Sequence, residues 1–147
     1  MNQPLPDIPV RIDLSPGADD ASTGMAQALL REVAAHLRSV AAGGERQILE
    51  LGNLPLSEGD RQQLDEWLGK GEVEVTIQAA GLTRIHETRY PGVWWVKYFK
   101  EGGNEVVAEQ LEIGAVPTIL EAHIEDIQDS AERLPQLFET ISSSNPQ

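Results

Sequence analysis

The stretch from Glu72 to Ile113 constrains the fold more than any other part of this chain. Four β-rich runs, Glu72–Ala80, Leu82–Tyr90, Val93–Lys100 and roughly Glu105–Ile113, are separated by Gly81, by Pro91-Gly92 and by Gly102-Gly103-Asn104. Gly supplies backbone conformations that other residues resist, and Pro fixes φ, so these clusters read as turns between consecutive antiparallel strands. In the first run Val73, Val75 and Ile77 alternate with Glu74, Thr76 and Gln78, the period of a strand with one buried face. Pro91-Gly92 suits a type II turn, whose twist fits a two-residue hairpin badly, so a bulge or a wider loop is expected there.

Helical periods flank this meander. Met25, Leu29, Val33, Leu37 and Val40 recur at three or four residues until Gly43-Gly44. Gln47–Leu51 is a short strand ended by Gly52-Asn53. Ser57 then caps a second helix, with Asp60 at the third helical position of a capping-box-like start and Leu64, Trp67 and Leu68 as its apolar stripe. After Pro117 the period returns in Leu120, Ile124, Ile127, Ala131, Leu134, Phe138 and Ile141, with Pro135 expected to kink or restart the helix. Residues 117–121 fit either a helix or a short strand. The order predicts an α+β fold: a single, mostly antiparallel sheet of about five strands with helices packed mainly on one face. Residues 1–20, rich in Pro, read as an extended lead-in, 21–142 as a single α+β domain and 143–147 as a frayed tail.

Composition narrows the chemistry. The sequence has no cysteine, which removes disulfides, thiolate nucleophiles and Cys-based metal or cluster sites. It gives no reason to expect an oxidising compartment, so a cytoplasmic location is expected. The opening residues lack the basic and apolar regions of a signal peptide, and no apolar run reaches the ~20 residues that span a bilayer. A formal charge of −13 repels phosphate backbones and anionic lipid, so neither nucleic acid nor a membrane surface is an expected partner.

Candidate catalytic groups are sparse. His36, His86 and His123 fall on three different elements without paired ligand spacing, so no metal and no cofactor are expected. Acidic pairs such as Asp65-Glu66 and Glu125-Asp126 lie on polar faces, where solvation accounts for them. Gly102-Gly103 joins two strands and does not precede a helix, unlike a phosphate-binding loop. No nucleophile elbow or triad pattern is present, and enzymatic activity is not expected.

One segment stands apart. Residues 82–100 hold five of the seven aromatic residues, Tyr90, Trp94, Trp95, Tyr98 and Phe99, and carry Arg84, Arg89, Lys97 and Lys100 against the single acid Glu87. Alternation sends Trp94, Val96 and Tyr98 to one face and Trp95, Lys97 and Phe99 to the other. One face as core and the other as a half-buried surface with snorkelling basic stems explains the pattern without function. The functional reading is a protein-binding surface, because Trp, Tyr and Arg dominate interface hot spots. Its candidate residues are Arg84, His86, Arg89, Tyr90, Trp94, Trp95 and Tyr98.

Thr83–Thr88 (TRIHET), Tyr90–Trp94 (YPGVW) and Glu112–Pro117 (EIGAVP) occur in an order and spacing that resembles the C-terminal conserved region of HupH-type hydrogenase expression proteins. The resemblance runs from roughly Ile48 to Leu120, about half the chain. It implies a cytoplasmic accessory protein, an assembly chaperone or adaptor, for maturation of an uptake nickel–iron hydrogenase. The implied partner is the iron–sulfur small-subunit precursor or another maturation protein. Members of that family are usually longer, with another region before this one, and have no established catalytic residues to carry over. Lacking Cys, this chain is expected to shield or position a cluster-bearing client rather than hold the cluster itself. Two other readings stand beside this one: a small-molecule or metal-binding domain with Arg84, His86 and Arg89 lining a pocket, and a self-associating module whose hairpin face makes a homodimer.

Overall fold

The computed structural model describes residues 21–144; the expected lead-in lies outside them. Helix α1 (Met25–Ala41) is followed by β1 (Gln47–Glu50), a 3-10 turn (Leu51–Asn53) and helix α2 (Glu58–Leu68). The meander comes next as β2 (Glu74–Gln78), β3 (Leu82–Glu87), β4 (Val93–Phe99) and β5 (Val106–Ile113). A 3-10 turn over Thr118–Leu120 and helix α3 (Ile124–Ser143) complete the described chain. One compact unit runs through Ala115 and a second begins at Val116.

All five strands form one antiparallel sheet in the order β1-β5-β4-β3-β2. The α+β fold with about five strands is therefore as the sequence reads. β2 begins two residues later than the alternation reached, because Val73 serves the neighbouring strand only through its carbonyl, which accepts from the Glu87 amide at 2.9 Å. The Pro91-Gly92 connection is the wider loop expected: five residues separate β3 from β4, Gly92 has φ of 100°, and the Val93 amide donates to the Tyr90 carbonyl at 2.9 Å. The register shift between β4 and β5 falls elsewhere, at Tyr98/Phe99.

The core sits on one face of the sheet. Ala26, Leu29 and Val33 of α1 and Leu64 and Leu68 of α2 pack with Leu51, Val93, Trp95, Leu111 and Ile113. Apolar residues at helical spacing meet apolar residues at strand spacing, so each element's stripe is buried by the other's. On the opposite face Trp94, Val96 and Ile85 are buried as well.

Asp60 ties the two helical starts together. It completes the capping box with Ser57: the Asp60 amide donates to Ser57 Oγ at 3.1 Å and the Ser57 amide to Asp60 Oδ2 at 3.0 Å. The same buried carboxylate accepts from the Thr23 amide at 2.8 Å and from the Thr23 hydroxyl at 2.6 Å, just before α1. In the second unit, residues 118–120 are neither α-helix nor strand but a single 3-10 turn. α3 runs unbroken through Pro135 to Ser143, one residue into the segment expected to fray, and its apolar residues, including Phe138 at 58% exposure, are all exposed.

Candidate functional site

α2 covers the Leu111 and Trp95 end of the core face and leaves the sheet open beyond it. The register aligns what is exposed there. On β4, Trp95 and Lys97 follow one another on this face; on β3 their direct partners are His86 and Arg84; on β5 Lys97 lies opposite Glu109; on β2 the partners of His86 and Arg84 are Glu74 and Thr76. Alternation puts all of these side chains on one face. They form the floor of an open trough of about 920 Å³, walled by Arg61, Asp65 and Lys70 on and just after α2 and by Phe99 at the end of β4.

A buried carboxylate organises the floor. Glu109 accepts from Trp95 Nε1 at 2.8 Å, takes a close charge-assisted hydrogen bond from Arg61 and lies 3.8 Å from Lys97 Nζ. Its desolvation is offset because both oxygens have donors. Lys97 Nζ also stands 5.6 Å from the centroid of the Trp95 ring, and Arg84 Cζ 5.7 Å from that of Phe99, both within cation–π range. The His86 ring stacks on Trp95, with centroids 5.8 Å apart and planes inclined at 23°. His86 Nε2 is buried and without a hydrogen-bond partner among the described residues. Burial, then the nearby Lys70 and Lys97, push the imidazole below its ordinary pKa, against Asp65 and Glu74, so it is neutral at pH 7.

The seven residues singled out in the sequence are divided by this geometry. Arg84, His86 and Trp95 line the trough. Arg89 closes the end of α2 instead: its guanidinium donates to the Glu66 carbonyl at 3.1 Å and its amide to the Leu68 carbonyl at 2.8 Å. It therefore does not converge with Arg84 and His86 in one pocket. Tyr90 is an exposed loop residue at 53%. Trp94 and Tyr98 occupy the opposite face of β4; Trp94 is 6% exposed and donates through Nε1 to the Gly114 carbonyl at 3.2 Å. Burial, then Glu112 and Glu50, raise the Tyr98 hydroxyl above its ordinary pKa.

Trp94 and Trp95 are both interior: Trp95 is 3% exposed even though it borders the trough. Lys97, Arg61 and Glu109 were missing from the sequence-derived set. Lys97 could have been found from its alternation with Trp95, whereas Arg61 and Glu109 depend on how α2 lies on the sheet.

Fold and trough together define a class: a one-sheet α+β domain whose helix-covered face stays open at one end as a charged trough. Comparison with known proteins narrows the class to one family. The pattern described as "HupH hydrogenase expression protein, C-terminal conserved region" matches residues 24–141. The chain belongs to that family. It is 38% identical over 100 residues to the hydrogenase expression/formation protein HupQ of Azotobacter chroococcum mcd 1, covering 68% of this chain and 35% of the relative. It is 29% identical over 133 residues to the hydrogenase-1 operon protein HyaF of Escherichia coli (strain K12), covering 90% of this chain and 45% of the relative. The solved structure of the hydrogenase expression protein HupH from Thiobacillus denitrificans ATCC 25259 superposes with a TM-score of 0.73 at 34% identity, covering 83% of this chain and 99% of that one. The chain thus spans about a third to a half of the length of these curated relatives. Among the described residues no helix is long and apolar enough to cross a membrane.

Proposed function

We propose that this chain is an assembly chaperone or adaptor that acts in the cytoplasm during maturation of an uptake nickel–iron hydrogenase, holding the iron–sulfur small-subunit precursor in the trough without covalent chemistry. The observation that carries this reading is the trough itself, which lies within the family-matched region and is lined by Arg84, His86, Lys97 and Phe99 beside Trp95. Its volume of about 920 Å³ is near the upper end of the roughly 300–1,000 Å³ of small-ligand sites and, being open along the sheet, suits several residues of an extended segment. Cationic and aromatic groups on a rigid sheet are the chemistry of protein–protein hot spots. With no Cys in the sequence, the client's cluster would keep its own thiolates.

The same volume supports one alternative, a small-molecule site on the same floor. Both are tested by filling the trough. Thr76 is exposed on β2 on the trough floor, and Thr76→Trp adds bulk there without changing charge. Co-purification of the small-subunit precursor with the full chain is expected to fall at least about tenfold in this variant, the loss of one well-placed contact region. Undiminished capture with an unchanged circular dichroism spectrum would remove the trough from the reading.

A further inference from the structure

Two cations face each other across the trough floor without a carboxylate between them. Arg84 and Lys97 are direct cross-strand partners on the same face, an arrangement that is destabilising when nothing neutralises it. Glu109 does not resolve it. That carboxylate is engaged by Trp95 and Arg61, reaches Lys97 only at 3.8 Å, and no ion pair of Arg84 is formed among the described residues. Lys70, on the same trough wall, is likewise in no ion pair among them. Arg84 and Lys70 are therefore the cations of the trough lining that form no ion pair among the described residues.

From this arrangement we infer that the trough recognises a carboxylate: an Asp or Glu side chain of an extended protein segment is held between Arg84 and Lys97, beside the His86 ring. The inference deepens the proposed partner site and rests on that reading. The charge around the floor defines the partner further. Glu58, Asp65, Glu74 and Glu109 balance the trough's four cations, Arg61, Lys70, Arg84 and Lys97, so it holds no net positive charge to draw a polyanion such as nucleic acid or polyphosphate. A single carboxylate on an otherwise neutral or basic segment needs only the local pair of Arg84 and Lys97. Arg84 supplies a planar fork that a carboxylate can engage through two parallel hydrogen bonds, and Lys97 supplies a point charge. The guanidinium of Arg84 stands over the Phe99 ring and the ammonium of Lys97 over the Trp95 ring, which fixes where both heads stand.

The arrangement has a built-in reporter. A bound carboxylate adds negative charge next to an imidazole that burial, then Lys70 and Lys97, hold below its ordinary pKa, so binding is expected to raise the pKa of His86. The full chain is titrated with the blocked peptide acetyl-Leu-Asp-Leu-Gly-amide and with its Asn counterpart, following the His86 ring by NMR across pH. The Asp peptide is expected to bind at least about tenfold more tightly than the Asn peptide, as one charge-assisted hydrogen bond warrants, and to raise the His86 pKa. Arg84→Gln with Lys97→Met, neutral replacements of similar length, is expected to reduce the Asp peptide to the level of the Asn one. Equal binding of the two peptides, a His86 titration that does not move, or displacement of the Asp peptide by an equal concentration of inorganic phosphate would overturn the inference. If the Asp preference is absent while Thr76→Trp still abolishes precursor capture, the carboxylate falls and the partner site stands; if Thr76→Trp leaves capture intact, the partner site itself falls.

Discussion

Trp95 does two jobs that a sequence displays as one aromatic residue. Its ring closes the core beneath α2, and its indole N–H holds Glu109, which in turn receives Arg61. Trp95→Ala removes the ring and strands a buried carboxylate with one donor fewer, so a loss of about 3–5 kcal/mol of stability is expected in urea unfolding. Substitution to Ala at this position consequently reports on folding before it reports on binding. Trp94 behaves similarly from the other face, since its indole N–H is spent on the Gly114 carbonyl. Alternation correctly assigned the two tryptophans to opposite faces. It could not tell that both faces bury them, because burial is decided by what packs on a strand and not by the strand's own period. Arg89 shows the same limit: its position in a basic cluster pointed to a surface, while in three dimensions it satisfies the last carbonyls of a helix.

At the scale of elements, local chemistry was the most legible part. The Ser57/Asp60 capping box, the Pro91-Gly92 turn and the four meander strands are dictated by neighbours within a few residues, and the strands begin and end within about three residues of where the sequence put them. What spacing alone did not reveal is that Asp60 also caps the chain entering α1. Burial raises the energy of its charged form, but hydrogen bonds from the Thr23 hydroxyl and the Ser57 and Thr23 amides outweigh that and hold the carboxyl well below its ordinary value of 3.8. A carboxyl whose pKa is depressed on folding adds stability above its unfolded pKa and loses it as pH falls through the folded one. The stability of the native chain should therefore decline as pH drops below about 4. Urea unfolding of Asp60→Asn at several pH values is expected to give lower stability at pH 7 and a flatter acid limb; an acid limb of unchanged slope would assign the decline to other carboxylates. Pro135 gives the opposite lesson. It was expected to kink or restart the last helix, and α3 is continuous across it, so the helix does not restart there.

For the whole molecule, the trough is a product of topology. Arg84 and Lys97 are thirteen residues apart in the sequence and Arg61 and Glu109 are forty-eight apart, and the order β1-β5-β4-β3-β2 with α2 across its core face brings them to one trough. Sequence reasoning located the hairpin that supplies most of the floor, because that segment reverses the sign of an otherwise acidic chain. It could not choose the face, since the choice belongs to the helices. The reversal of charge acquires a physical role in the proposed site: Arg84, in no ion pair among the described residues, and Lys97, 3.8 Å from Glu109, are the cations of the floor, and they would draw a partner's carboxylate inward. The central claim is that a hydrogenase precursor occupies this trough. Mapping amide NMR shifts of the isotopically labelled chain on addition of the small-subunit precursor tests it most directly. The account predicts that the perturbed amides concentrate at Thr76, Arg84, His86, Lys97 and Glu109; perturbation confined to other surfaces, with these five unmoved, would contradict it.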